Sequence, residues 1–332
     1  MSYKVAVVGA TGSVGLNMLQ IMHERSFPIL EVIPLSSENS RGREVSFGDI
    51  DLKVIALDDY DFSDTHIALF SAGSKVSDQY GRMAAEAGCI VIDNSSFFRH
   101  DDQIPLVVPE INGNRVSDYT KKNVIANPNC TTIQIVMALK PLLSLANIKK
   151  VIVTTFQSVS GAGKEGVREL DKQMRGMLFN KEPENTIFPR QIAHNAIPCI
   201  GSINKNGFSI EEEKIMSEVN KILETQIYIE ATCVRVPIFV GHCASVYVEF
   251  EEEVDLGEAL EVLNEFPGIM LSENVLEYVT PIDCQGEDAV FVSRIRQHSK
   301  NTLNMWVVSD NLRKGAALNA VQIAEELVEH HI

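Results

Sequence analysis

The sequence predicts an α/β protein in two parts, a doubly wound parallel sheet followed by a second α+β domain with a mostly antiparallel sheet. Three observations carry this reading. A first apolar run, Tyr3 to Val8, ends in Gly-Ala-Thr-Gly-Ser-Val-Gly and leads straight into a helical pattern. Early strand-like runs are short and apolar on both faces, as parallel strands covered by helices are, whereas later ones are longer and alternate. A chain of 332 residues also has room for two domains of ordinary size.

Taken in order, Val14, Met18, Leu19 and Met22 mark the first helix by their spacing. Leu30 to Leu35, Ile67 to Ser71 and Ile90 to Asp93 read as further short strands, with a helical segment, Ser77 to Ala87, before the last. After Ala126 the pattern changes. A helix runs from Cys130 toward Pro141, and β-rich runs follow at Val151 to Val159, Ile227 to Val236, Ala244 to Glu251, Val290 to Arg296 and Leu303 to Val308. Helices at Val167 to Leu178, Ile210 to Leu223 and Leu256 to Phe266 are expected to cover that sheet. The last helix, Leu312 to Val328, carries an apolar stripe and is expected to return to the first domain. The expected division is therefore 1–129 with 312–332 against 130–311. Asn180 to Ser202 has no periodicity but is too apolar for disorder, so a subunit contact is expected there.

Composition narrows the function. Lys plus Arg number 29 and Asp plus Glu 45, a net charge of −16, and no local basic patch offsets it. Nucleic acid and anionic membranes are poor partners for such a surface. No apolar run reaches the ~20 residues that span a bilayer. The first strand begins almost at once with no secretory pattern, so a cytoplasmic protein is expected. Cys89, Cys130, Cys199, Cys233, Cys243 and Cys284 include no CxxC pair, which argues for reduced thiols rather than disulfides, and no metal site is expected.

Gly9, Gly12 and Gly15 lie on the first strand-to-helix turn. Glycine lets the backbone turn tightly and lets a pyrophosphate approach the N–H groups at the helix start. The position after the first strand makes this a Rossmann-type dinucleotide site. The second strand leads into Ser36-Ser37-Glu38-Asn39-Ser40-Arg41 with no acidic residue at its end. Hydroxyls beside an arginine suit the 2′-phosphate of NADP better than the free hydroxyl of NAD, although Glu38 opposes that choice.

Asn127-Pro128-Asn129-Cys130-Thr131-Thr132 places a cysteine at the domain junction and the first turn of a helix, where orphan N–H groups stabilise a thiolate. A buried thiol with Asn129 capping the helix is the commoner arrangement, and the junction position favours the reactive one. Arg235 and His242 are seven residues apart around Pro237, so a bend can bring both to one cavity, with His242 as general base and acid for a cysteine. Ser158 to Gly163 is either a plain turn or the place where cofactor and substrate meet.

Together GATGSVG, FFR at Phe97 to Arg99, NPNCTT, FQSVSGAG, FPRQIAHNAIP, VRVPIFVGH and SDNLRKGAALNAVQIAEEL resemble the aspartate-semialdehyde dehydrogenase family, in the family's order along nearly the whole chain. The resemblance implies NADPH-dependent reduction of L-aspartyl 4-phosphate to L-aspartate 4-semialdehyde with release of phosphate. That step serves lysine, diaminopimelate, threonine and methionine biosynthesis. It implies Cys130 as the nucleophile of an acyl-thioester, Gln157 orienting the acyl group and His242 as acid and base. Arg235 would hold the substrate α-carboxylate, with Glu211 near its amino group, and Arg99 and Lys214 would bind phosphate. Because Glu211, Glu212 and Glu213 are consecutive, the register of that contact is open. The cofactor positions implied are Gly9, Thr11, Gly12, Ser13, Val14, Ser36, Asn39, Ser40, Ser160, Gly161 and Asn311. Asn39 stands where many members carry an arginine, so either NADP selectivity is weaker here or the 2′-phosphate contact falls to Arg41. A developing oxyanion would draw on the Cys130 N–H with help from Asn129. A homodimer or dimer of dimers is implied as well.

Other acyl-phosphate reductases carry different cysteine motifs. A non-catalytic paralogue is expected to lose Cys130, Gln157, Arg235 or His242, all of which are present, and a thiol hydrolase would have no nicotinamide dependence.

Overall fold

The computed structural model describes residues 1–274 and 276–332. The chain divides into two compact units, Met1–Asn129 with Ala316–Ile332, and Cys130–Gly315. Among the described residues no helix is long and apolar enough to cross a membrane.

In the first unit β1 (Tyr3–Val8) leads through the glycine turn into α1 (Ser13–Glu24), and β2 (Ile29–Ser36) follows. A ribbon of β3 (Glu44–Phe47) and β4 (Ile50–Lys53) then precedes β5 (Ile55–Ala56) and β6 (Ile67–Phe70). The short helices α2 (Ser74–Val76) and α3 (Arg82–Glu86) flank a π-turn, Ser77–Gly81, before β7 (Ile90–Asp93). Last come α4 (Pro109–Asn112) and β8 (Val124–Ala126). The sheet order is β5-β2-β1-β6-β7-β8, and every pairing is parallel. Strand order reverses beside β1, and ligands of such sheets bind at the carboxyl ends of the strands where this happens. The C-terminal helix, Leu318–His330, sets Leu318, Val321, Ala324 and Leu327 into the same core as Met18, Leu19 and Met22 of α1. Its α-helical part starts later than the spacing suggests because Arg313–Ala317 forms a π-turn.

The second unit opens with α5 (Cys130–Leu139), in which every residue after Cys130 is buried. It contains β9 (Ile148–Gln157), α6 (Gly163–Leu178), α7 (Ile210–Leu223), β10 (Tyr228–Arg235) and β11 (His242–Phe250). After these come α8 (Leu256–Glu265), β12 (Ile269–Leu271), β13 (Val290–Arg296) and β14 (Thr302–Ser309). Its sheet, β10-β9-β11-β14-β13-β12, is mixed: three pairings are antiparallel, and β9–β10 and β12–β13 are parallel. The parallel β9–β10 pair follows from its connection, since a crossover through two helices returns the chain in the same direction.

The aperiodic stretch after α6 is ordered by side chains of that helix. The buried Glu169 carboxylate accepts hydrogen bonds from the backbone N–H groups of Thr186 (2.8 Å), Ile187 (2.5 Å) and Phe188 (3.3 Å) and from the Thr186 hydroxyl (2.5 Å). One turn on, Gln173 Oε1 accepts from Ile192 and Ala193 N–H. Phe188, Ile192, Ala193 and Ile197 then bury against Val159 and Leu170, so these apolar side chains are consumed inside the unit.

Candidate active site

In the first unit the glycine turn is shaped by close approach. Gly9 has φ +87°, a conformation that side chains disfavour. A Cβ on Gly15 would lie 2.3 Å from the Gly9 carbonyl oxygen, so only glycine fits. Gly12 begins α1 without any side-chain hydrogen bond, and the first turn holds no acidic residue. The helix therefore presents uncapped N–H groups, which suits an anionic pyrophosphate. Ser13 and Val14 form the first turn, and the Thr11 hydroxyl meets the Ser36 hydroxyl at 2.9 Å. Ser40 is buried and Asn39 exposed on a 3₁₀ turn, Glu38–Ser40, after β2. These residues fit a nicotinamide dinucleotide at the end of β1.

Arg99 is buried in the same unit, with Nη2 donating to the Asn94 carbonyl (2.8 Å). The turn that carries it is held by Asp93, which accepts from the Ser77 and Ser95 hydroxyls (2.7 and 2.6 Å). Burial pushes the Asp93 carboxyl up from its ordinary value, against the pull of these donors. Asn129, also buried, ends this unit.

In the second unit β-sheet register gathers the candidates. Gln157 ends β9 and pairs with Arg235 at the end of β10 and with His242 at the start of β11, and His242 pairs in turn with Ser309. Three candidate side chains thus stand in one row, separated by the ~4.8 Å spacing of strands. All three are buried. Gln157 Nε2 donates to the hydroxyl of Thr131, the residue after Cys130, and to Glu211 Oε1 at 3.0 Å. Glu211 also pairs with Lys214 at 3.0 Å.

The three glutamates differ in their protein partners. Glu212 forms a capping box with Ser209 and accepts from the Cys233 N–H, and Glu213 accepts from Asn204. Only Glu211 among them contacts Gln157. Cys130 is half-buried at the start of α5, close to Gly315, where an added Cβ would come 3.1 Å from the Cys130 Cβ. Its sulfur lies within electrostatic reach of Arg235. Burial lowers the Arg235 guanidinium from its usual value, and Nη1 donates to the Ser158 carbonyl at 2.6 Å.

His242 Nδ1 receives the Ser158 backbone N–H (3.1 Å), which puts the proton of the neutral ring on Nε2. Nε2 is buried and has no hydrogen-bond partner among the described residues. A Cβ on Gly161 would come within 3.2 Å of Nε2 and 2.9 Å of Arg235 Nη1, so the glycine keeps that space open. Gln157 Oε1 is likewise buried and unpartnered. Burial first, and the Arg235 charge second, push the His242 pKa down to about 3. Asn311 Oδ1 gathers the Ser158 and Ser160 hydroxyls (3.1 and 3.2 Å) and the Gly241 N–H (2.9 Å), so Ser160 and Asn311 brace the histidine end of the row. Thr131 and Ser158 lie in motifs that the sequence singles out, but the sequence gives neither of them a contact. Ser158 directly follows Gln157, but nothing in its position shows that it holds both a histidine and an arginine.

The six cysteines separate cleanly. Burial pushes the Cys89, Cys233, Cys243 and Cys284 thiols up to about 12, which leaves them inert. Cys130 and Cys199 are half-exposed.

Known proteins match the chain throughout. Residues 4–119 match the family described as semialdehyde dehydrogenase, NAD binding domain, and residues 139–314 match semialdehyde dehydrogenase, dimerisation domain. Proteins named aspartate-semialdehyde dehydrogenase from Rickettsia conorii and Aquifex aeolicus are 48% and 47% identical, covering 99% of this chain and 99% of each relative. The crystal structure of aspartate semialdehyde dehydrogenase II complexed with ASA from Vibrio cholerae aligns over 100% of both chains, with a TM-score of 0.98 at 44% identity. With these matches along both units, the chain belongs to the aspartate-semialdehyde dehydrogenase family of oxidoreductases.

Proposed function

We propose that this enzyme reduces L-aspartyl 4-phosphate to L-aspartate 4-semialdehyde with NADPH, through an acyl-thioester on Cys130. The observation that carries the proposal is the single row Arg235, Gln157 and His242, tied by Gln157 to Glu211 and to the neighbour of Cys130. The Cys130 thiolate attacks the acyl carbon, a carbon–sulfur bond forms and the phosphate leaves with the electrons of the broken carbon–oxygen bond. Arg235 holds the α-carboxylate as a guanidinium fork, and Glu211 accepts from the amino group. Arg99 and Lys214 bind the phosphate, and Gln157 fixes the acyl oxygen with Asn129 and the Cys130 N–H near it. His242 is the acid and base of the cycle, and its Nε2 proton makes it a donor to that oxygen first. A bound nicotinamide would supply the hydride; as the acyl carbon takes it, the carbon–sulfur bond breaks, freeing the aldehyde and returning Cys130 as the thiolate. Gly9, Thr11, Gly12, Ser13 and Val14 would hold the pyrophosphate, Ser36, Asn39 and Ser40 the adenosine ribose, and Ser160, Gly161 and Asn311 the nicotinamide end.

The Vibrio cholerae relative solved with ASA supports the substrate class. We place the enzyme in the cytoplasm, in the route to lysine, diaminopimelate, threonine and methionine, with residues 1–129 and 312–332 binding cofactor and 130–311 serving catalysis and dimerisation. The match to a dimerisation domain supports a homodimer or dimer of dimers, and a stable monomer in light scattering would argue against it. The reaction is tested by phosphate-dependent reduction of NADP⁺ with aspartate semialdehyde. Turnover in the unmodified enzyme and none in Cys130→Ser is expected; turnover with acetylglutamate semialdehyde alone would assign another acyl phosphate.

A further inference from the structure

In doubly wound dinucleotide folds the residues at the end of the second strand discriminate NADP from NAD, and this chain places a charge cluster there. Arg41 does not stand free beside the ribose position. Glu38 grips it with both carboxylate oxygens, Oε1 at 2.8 Å from Nε and Oε2 at 2.7 Å from Nη2. Asp59 takes Nη2 as well. Asp59 is far off in sequence but adjacent in space, because β5 pairs in parallel with the end of β2 (Leu35 with Ile55, Ser36 with Ala56) and the turn Leu57–Asp59 follows β5. Two carboxylates therefore surround one guanidinium, and the cluster carries a net negative charge. All three side chains are open to solvent, at 46% to 62% exposure, so each can be rearranged by a ligand.

An arginine selects a 2′-phosphate when its donors face the ligand, and a carboxylate at this strand end accepts from a free 2′-hydroxyl instead. Here each group occupies the other. A 2′-phosphate must compete with Glu38 and Asp59 for Arg41 and must then lie near both released carboxylates. We propose that Glu38, Arg41 and Asp59 together set the balance between NADP and NAD, the two carboxylates holding down the preference for NADP that Arg41 confers. The proposal rests on the reading of the first unit as a nicotinamide dinucleotide site.

The test is calorimetric titration of the purified enzyme with NADP⁺ and with NAD⁺, at low and high salt, in E38Q, D59N and R41A. Removing either carboxylate is expected to raise the NADP⁺-to-NAD⁺ affinity ratio by about threefold to tenfold. R41A should lower the ratio, chiefly by weakening NADP⁺, and all three shifts should shrink at high salt as exposed charges are screened. An unchanged ratio in the three variants, with both nucleotides still binding, overturns the assignment while leaving the dinucleotide site intact. If neither nucleotide binds the unmodified enzyme, the dinucleotide reading itself falls and the proposal with it.

Discussion

The two units make their candidate sites from different materials. The first uses backbone: a glycine turn at the end of β1 and bare N–H groups at the start of α1. The second uses side chains: Gln157, Arg235 and His242 stand side by side because three strands end in register. A backbone site depends on a few glycines and tolerates change elsewhere. A register site depends on every residue of the row and on the side chains that brace it. Chemistry should therefore fail by point changes in the second unit, and folding by glycine changes in the first.

The largest expected effect is loss of the nucleophile. Cys130→Ala should lower kcat by a factor on the order of 10⁵ in steady-state assays with little change in Tm, since covalent catalysis has no substitute.

The sharpest contrast between the units is a pair of glycine changes. Gly15→Ala drives a methyl against the Gly9 carbonyl oxygen and should cost about 2–4 kcal/mol in denaturant unfolding. Gly161→Ala meets instead the far end of the Arg235 side chain and the edge of the His242 ring rather than backbone, so it should cost less, about 1 kcal/mol. It should raise KM by narrowing the substrate space. Equal destabilisation by the two would erase the distinction between the units.

A smaller effect is pH-dependent. His242 titrates near 3 in the fold because burial and Arg235 disfavour its charge, against about 6.5 when unfolded. The unfolded chain therefore binds a proton that the fold refuses, and the stability His242 contributes is present above about 6.5 and lost as pH falls toward 3. His242→Gln should flatten that part of the stability–pH curve measured by urea unfolding. Glu169 acts in a lower window. Burial tends to raise its carboxyl, but the donors from Thr186, Ile187 and Phe188 outweigh burial and hold it below the ordinary value. Its contribution is thus present above the unfolded carboxyl value and lost as pH falls through the depressed one. Glu169→Gln should show this as increased proteolysis of residues 184–193 at neutral pH.

The smallest effect is chemical. Iodoacetamide on the native enzyme should label Cys130 and Cys199 and spare Cys89, Cys233, Cys243 and Cys284, which burial keeps protonated.

Much of this was legible from spacing. Gly9, Gly12 and Gly15 announce their turn because the constraint is local, and Ile90–Asp93, Ile210–Leu223 and Val290–Arg296 fall where periodicity puts them. What escaped depends on distant pairing. Glu211 is told apart from its neighbours by its contact with Gln157, 54 residues away in the chain. The β3–β4 ribbon, largely exposed, has too weak an apolar alternation to announce itself. Asp59 reaches Arg41 only because β5 lies beside β2. Ser158 and Thr131 acquire their contacts from strand and helix packing, to which a single sequence gives no access.

The most direct measurement is mass analysis of the enzyme trapped with aspartyl phosphate in the absence of a nicotinamide nucleotide. An aspartyl increment on the peptide carrying Cys130, lost on adding hydroxylamine and missing in Cys130→Ser, is the expected result. An enzyme that turns over normally while that peptide stays unmodified would contradict the thioester.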